Sequence, residues 1–148
     1  MYNTIKEASY EANMQLTKLG LVKFTFGNVS VFDKEKGVFA IKPSGVPYEL
    51  LKVDDMVIVD LEANVVAGTM RPSSDTKTHA VLYKEWPNLG AIVHTHSRYG
   101  TAWAQANRSI PIYGTTHADH LTTDIPCAPP MDDEMISGNY EYQTGYQN

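Results

Sequence analysis

Two strand-like runs separated by a five-residue charged turn set the strongest constraint on this chain. Residues 22–32 alternate and are rich in β-branched and aromatic side chains, and residues 38–42 repeat that composition. Only Asp33-Lys34-Glu35-Lys36-Gly37 lies between them. Runs joined so closely pair as an antiparallel hairpin. Residues 56–61 and 65–66 form a second such pair around the turn Glu62-Ala63-Asn64. Ahead of them, Ile5, Ala8, Ala12, Leu16 and Leu19 recur at helical spacing. Thr4-x-x-Glu7 supplies a capping-box pattern and Gly20 a stop. The stripe on this helix needs a sheet or another helix to cover it, and it reads as a core-packing helix. Gly27-Asn28 interrupts the first run, which marks a bulge or a close approach of backbone to another group.

The candidate chemistry is concentrated between Arg71 and His120, which hold all five histidines. Residues 91–96 read as a short apolar strand, and on a strand residues i and i+2 share a face. His94 and His96 are then spaced to grip one ion, and neutral imidazole suits zinc and similar divalent metals. The alternative for such a pair is two half-buried histidines hydrogen-bonded to backbone. A carboxylate before the pair and further His and Asp after it favour the metal. That carboxylate, Asp75, follows Ser73-Ser74 at the start of a helix expected to run to about Glu85. Ser or Asp there satisfies open N–H groups, and the same position is an anion site. His79 lies one turn past Asp75 and reads as a supporting or structural residue.

Pro43-Ser44-Gly45, preceded by Lys42, offers a small hydroxyl, an unhindered backbone N–H and a positive charge at a strand end. Those groups can cradle a phosphate. Residues 48–51 read as one helical turn. Residues 99–106 read as a helix with Ala102, Trp103 and Ala106 inward, and residues 109–112 as an extended piece. Residues 114–120 read as a polar loop of the kind that carries sites, and residues 132–136 as a last helical turn.

A length of 148 residues suits a single domain with a real core. The net charge of -5, with no Lys/Arg run, argues against nucleic acid. No apolar run approaches membrane-spanning length, and no signal-peptide pattern opens the chain. The one cysteine, Cys127, excludes an internal disulfide and reads as a packed thiol, which fits a reduced cytoplasmic setting.

Five segments carry a resemblance. They are Thr25-Phe26-Gly27-Asn28-Val29-Ser30, Ile41-Lys42-Pro43-Ser44-Gly45-Val46, Pro72-Ser73-Ser74-Asp75-Thr76, Ile92-Val93-His94-Thr95-His96-Ser97 and Gly114-Thr115-Thr116-His117-Ala118-Asp119. In this order and spacing the chain resembles the class II sugar-phosphate aldolase/epimerase family. Asp75, where the aldolases carry Glu, and Thr116-His117-Ala118-Asp119 favour the epimerase branch. The resemblance implies a three-layer α/β/α fold with a mostly antiparallel central sheet, assembled as a tetramer. It implies zinc or another divalent ion on His94 and His96, with Asp75 close to the metal. It implies a phosphorylated pentose held by Gly27, Asn28, Lys42, Ser44, Gly45, Ser73, Ser74 and Thr115, and Asp119 as an acid/base residue.

The implied reaction is epimerisation of L-ribulose 5-phosphate to D-xylulose 5-phosphate. C4 carries no acidic proton, so inversion there requires retro-aldol cleavage of C3–C4 and re-formation on the other face. Family members continue beyond the point where this sequence ends, with a third metal-binding His and a Tyr that serves as the second acid/base. The expectation is therefore a fold incomplete at its C-terminal side. Two other readings stay open from sequence: a sugar-phosphate aldolase, and a chain that binds phosphate or metal without turnover.

Overall fold

Antiparallel pairing follows from the short connections. The computed structural model describes residues 1–130. Helix α1 (Asn3–Lys18) is followed by strands β1 (Asn28–Asp33), β2 (Val38–Ile41), β3 (Val57–Asp60) and β4 (Val65–Ala67). Helix α2 (Thr76–Glu85), strand β5 (Ala91–His94), helix α3 (Arg98–Gln105) and helix α4 (Gly114–Ala118) complete the described elements. The strands form one sheet in the order β4-β3-β2-β1-β5, every pair antiparallel.

Side-chain alternation splits this sheet into two covered faces. Phe39 and Ile41 of β2 and Val57 and Val59 of β3 pack with Ala80 and Tyr83 of α2. The residues between them, Val38, Ala40 and Ile58, pack with Ile5 of α1. Continuous apolar runs are thus explained by burial on both sides. These elements form three layers, α1 over one face and α2 over the other, which is the α/β/α arrangement expected.

The chain falls into two compact units, Met1–Thr95 and a second beginning at His96. The sheet, α1 and α2 belong to the first. In the second, Ile110 and Ile125 form an isolated antiparallel bridge, and the Ser97 hydroxyl caps α3 by accepting from the Gly100 N–H at 3.1 Å. Among the described residues no helix is long and apolar enough to cross a membrane.

Several local expectations are corrected. β1 begins only at Asn28; residues 22–27 are not strand, because Gly27 at φ +76° ends the irregular approach rather than bulging a strand. The Thr4/Glu7 capping box is not made: α1 starts after Tyr2 with no side-chain cap. Its buried face is Ile5, Ser9, Asn13 and Leu16, while Leu19 is exposed. Residues 114–118 are helical rather than loop. Ala102 and Ala106 are exposed and α3 buries no residue completely. Residues 132–136 lie outside the described residues.

Candidate functional site

The site grows from the match between a helix repeat and a strand repeat. Four helical residues rise about 6 Å and two strand residues about 6.6 Å. Asp75, His79 and Tyr83, spaced by four, therefore run in step with Asn28, Ser30 and Phe32, spaced by two, on the sheet face that α2 covers. Each pair touches. Asn28 Nδ2 donates to Asp75 Oδ2 at 2.6 Å, Ser30 Oγ lies 2.7 Å from His79 Nδ1, and Tyr83 stacks on Phe32 with ring centroids 4.6 Å apart. β5 adds the neighbouring column. Asn28 is the direct cross-strand partner of His94, so their side chains share that face.

Asp75 is the hub. At the N-cap of α2 its carboxylate makes no cap bond. Oδ2 instead accepts from Asn28 Nδ2, from Ser73 Oγ at 3.2 Å and from His94 Nδ1 at 2.8 Å. Burial alone would push this carboxyl up, but the His94 hydrogen bond and charge, with Asn28 and Ser73, outweigh it and hold it at about 2. An ionised carboxylate only accepts, so the proton of that contact sits on His94 Nδ1. The Oδ1 atom makes no hydrogen bond among the described residues. Asn28 Oδ1 is buried with no partner, while its Nδ2 is doubly used. Buried polar atoms are rarely left unpaired.

Beneath the hub lies a closed network. His79 is 1% exposed, and burial pushes it down to about 4, so it is neutral at ordinary pH. Ser30 Oγ also meets the Tyr83 hydroxyl at 2.8 Å, and that hydroxyl donates to the Ser30 carbonyl at 3.1 Å. His79 is thus a buried structural histidine, in line with its reading from sequence.

The two serine-bearing loops are joined beside the hub. Ser44 N–H donates to the Arg71 carbonyl at 2.9 Å and Ser73 N–H to the Lys42 carbonyl at 3.1 Å, around a bridge between Pro43 and Pro72. The Ser44 N–H is therefore used inside the protein, which leaves the N–H of Gly45 as the one of this turn for an anion. Exposed at these loops are Ser44, Gly45 and Ser74. Gly45 holds φ +72°, which suits glycine at this turn. Lys42 is 2% exposed; its Nζ donates to the Val46 carbonyl at 2.7 Å and lies 4.8 Å from the centre of the Tyr48 ring. Burial lowers its pKa. The Tyr48 hydroxyl donates to the Gly27 carbonyl at 2.9 Å, linking this turn to the entry of β1.

Gly27 has a steric reason to be glycine. A Cβ there would fall 2.9 Å from the His94 carbonyl oxygen and 2.6 Å from Val22 Cγ1.

The structure thus brings Asn28, Ser73, Asp75 and His94 into one hydrogen-bonded cluster, with Gly27, Lys42, Ser44, Gly45 and Ser74 on the same unit. His96, Thr115 and Asp119 belong to the second unit. β5 ends at His94, so strand alternation does not extend to His96. Asp119 N–H donates to the Thr115 carbonyl at 2.8 Å, placing those two on one turn of α4 and its C-cap, both exposed. Among the described residues no three His, Cys, Asp or Glu side chains stand close enough together to hold a metal ion. The Asp75–His94 pair nevertheless fits part of a metal site, since metal-binding imidazoles commonly donate their other nitrogen to a carboxylate.

Sequence reading missed the polar stripe of α1. Ser9 and Asn13 are fully buried and bond to the sheet backbone. Their positions within the helical face were the available signal.

Comparison with known proteins gives a consistent picture. The chain is 55% identical over 141 residues to L-ribulose-5-phosphate 4-epimerase UlaF of Salmonella paratyphi B (strain ATCC BAA-1250 / SPB7), covering 95% of this chain and 62% of the relative. The same figures hold for the protein of that name from Salmonella typhi. The chain therefore spans less than two thirds of the length of these curated relatives. Among solved structures it is similar to an L-fuculose 1-phosphate aldolase, with TM-score 0.69, 36% identity and 73% of this chain and 51% of that one covered. It is also similar to l-fuculose-1-phosphate aldolase from Thermus Thermophilus, with TM-score 0.70, 25% identity and 97% and 72% covered. Residues 7–143 match the model for the Class II Aldolase and Adducin N-terminal domain. That match spans nearly the whole chain, which belongs to the class II aldolase and adducin N-terminal domain family.

Proposed function

We propose that this chain supplies the phosphate-binding and metal-orienting part of an L-ribulose-5-phosphate 4-epimerase, which interconverts L-ribulose 5-phosphate and D-xylulose 5-phosphate. The observation that carries the reading is the cluster of Asn28, Ser73, Asp75 and His94, with an unpaired buried oxygen on Asn28. Identity of 55% to proteins bearing that name supports the substrate.

The roles follow from the chemistry of each group. The hydroxyls of Ser44 and Ser74, the N–H groups of Gly45 and Ser74 and the N-terminus of α2 favour a phosphate. Lys42 serves from behind, its ammonium holding the turn at residues 43–46 by way of the Val46 carbonyl. Asn28 lies beside the sugar as a further substrate contact, and its Nδ2 keeps Ser73 and Asp75 in place. Asp75 fixes the proton of His94 on Nδ1 and so sets which ring nitrogen faces an ion. When bound at His94 and His96, a divalent ion such as Zn²⁺ supplies Lewis-acid stabilisation of negative charge on oxygen. Asp119 takes or returns the proton of the C4 hydroxyl as C3–C4 breaks and re-forms. Thr115, one turn away on α4, is a further substrate contact. Full assembly is that of a homo-oligomer in the cytoplasm.

The test is conversion of L-ribulose 5-phosphate to D-xylulose 5-phosphate by the purified chain with zinc, alongside calorimetric binding of the sugar phosphate. Binding with turnover that a chelator abolishes supports the full reading. Free glycolaldehyde phosphate assigns the chain to cleavage instead. The absence of both binding and turnover overturns the proposal.

A further inference from the structure

We propose that Asn13, on the far side of the sheet from the site, is a positioning residue for Asn28; the binding consequence rests on the function proposed above. β1 pairs with β5 from Asn28 onward but with β2 only from Ser30. Val29 therefore has no partner residue in β2. Asn13 stands in for the missing strand. Its Oδ1 accepts from the Val29 N–H at 2.9 Å and its Nδ2 donates to the Val29 carbonyl at 2.7 Å. One side-chain amide thus pairs both backbone groups of one residue, as a neighbouring strand would.

Nδ2 also donates to the Ser9 carbonyl at 2.8 Å, one turn earlier in α1, so the amide is fixed at both ends. Asn13 is fully buried. A helix covering a sheet needs no polar side chain at this position for burial alone, and leucine would fill the space with better helix propensity. The residue next to Val29 is Asn28, which is 2% exposed and holds Ser73 and Asp75 from the opposite face. The end of a strand that pairs on one side only is free to fray. Asn13 removes that freedom where the side chain of Asn28 must stay within 2.6 Å of the Asp75 carboxylate.

Ser9 provides the control. Its hydroxyl also donates to Val29 and Ala40 carbonyls, at 3.1 and 3.0 Å, but it leaves the Val29 N–H to Asn13. Loss of Ser9 removes packing and a shared hydrogen bond without releasing the strand end.

The experiment compares Asn13→Leu and Ser9→Ala in the 148-residue chain, at a temperature well below both melting points. One readout is the NMR resonances of the Asn28 side-chain amide; the other is the calorimetric Kd for L-ribulose 5-phosphate. Asn13→Leu is expected to move the Asn28 resonances and to weaken binding about tenfold, the size of one well-placed hydrogen bond. Ser9→Ala is expected to leave both nearly as in the wild type. Where the leucine variant does not fold, Asn13→Ala, which removes both bonds to Val29 without adding bulk or charge, is expected to give the same changes. Unmoved Asn28 resonances in the folded Asn13 variant, or equal effects from Ser9→Ala, overturn the proposal. If the wild-type chain binds no sugar phosphate, the function proposed above fails, and the Asn28 resonances alone decide the positioning.

Discussion

The carboxylate of Asp75 and the imidazole of His94 meet at 2.8 Å through Nδ1, although they lie nineteen positions apart on a helix start and a strand end. The contact costs α2 its side-chain cap, since Asp75 stands at the N-cap and its carboxylate bonds no N–H of the helix, only its carbonyl accepting from the His79 N–H. A cap of this kind contributes about 1 kcal/mol. Its diversion marks the residue as one whose orientation serves something other than helix stability.

Asp75→Asn tests that. The amide keeps the size of the side chain but no longer fixes His94 by charge. Loss of a carboxylate behind a metal-binding imidazole costs about 10–100-fold in metal affinity. Zinc bound per chain after dialysis, compared at a temperature below both melting points, is expected to fall in the variant; stability also falls somewhat, because the ionised carboxylate is favoured by its folded partners. Equal zinc content in both chains would separate Asp75 from the metal.

Gly27→Ala tests the fit between β1 and β5. The added Cβ would lie 2.9 Å from the His94 carbonyl oxygen, which is backbone and cannot swing aside. The φ of +76° adds strain for any side chain. The expected destabilisation is about 1–3 kcal/mol, read from denaturant midpoints. Val22→Ala in the same chain removes the other clash, at Val22 Cγ1, and is not expected to restore stability. Full restoration would place the constraint on Val22 rather than on His94.

Alkaline pH tests the buried phenols. Burial pushes Tyr48 up to about 12, and Tyr83 likewise to about 12 despite the opposing hydrogen bonds of Ser30 and Ile92. In the unfolded chain both titrate near pH 10. Raised folded values favour the neutral phenols, so this contribution is complete below pH 10 and is lost as pH rises towards 12. Each phenol accounts for about 3 kcal/mol over that window. Stability measured by urea unfolding is expected to fall between pH 10 and 12, and less steeply in Tyr48→Phe. An identical slope in the variant would show that Tyr48 titrates normally in the fold.

Much of this fold was legible because strand runs and turns are local. The hairpin at residues 33–37, the turn at residues 62–64 and the helix ending at Glu85 all follow from composition and spacing. The entry to β1 was legible only in part: Gly27-Asn28 marked a bulge or a close approach of backbone, but the group approached, the His94 carbonyl, lies sixty-seven residues away. The polar face of α1 escaped for the same reason. Ser9 and Asn13 sit within the apolar face by position, but nothing local says which groups they bond until Val29 and Ala40 are known to lie beneath them. At the site, Asn28, Ser73, Asp75 and His94 could be named from motifs. The paired state of the Ser44 N–H could not, since its acceptor on Arg71 is set by how two loops cross. α4 shows the limit of composition in another way. Its polar residues suggest a loop, yet the turn closes through its own backbone from Thr115 to Asp119.

The most direct test of the site is calorimetric titration of the chain with L-ribulose 5-phosphate and, separately, with unphosphorylated L-ribulose. The wild type and the Ser44→Ala, Ser74→Ala double variant are compared. The expected result is saturable binding of the phosphorylated sugar alone, weakened about 100-fold or more in the double variant through loss of two hydrogen bonds to a charged group. Equal binding of both sugars, or an unchanged isotherm in the double variant, would contradict a phosphate site at these loops.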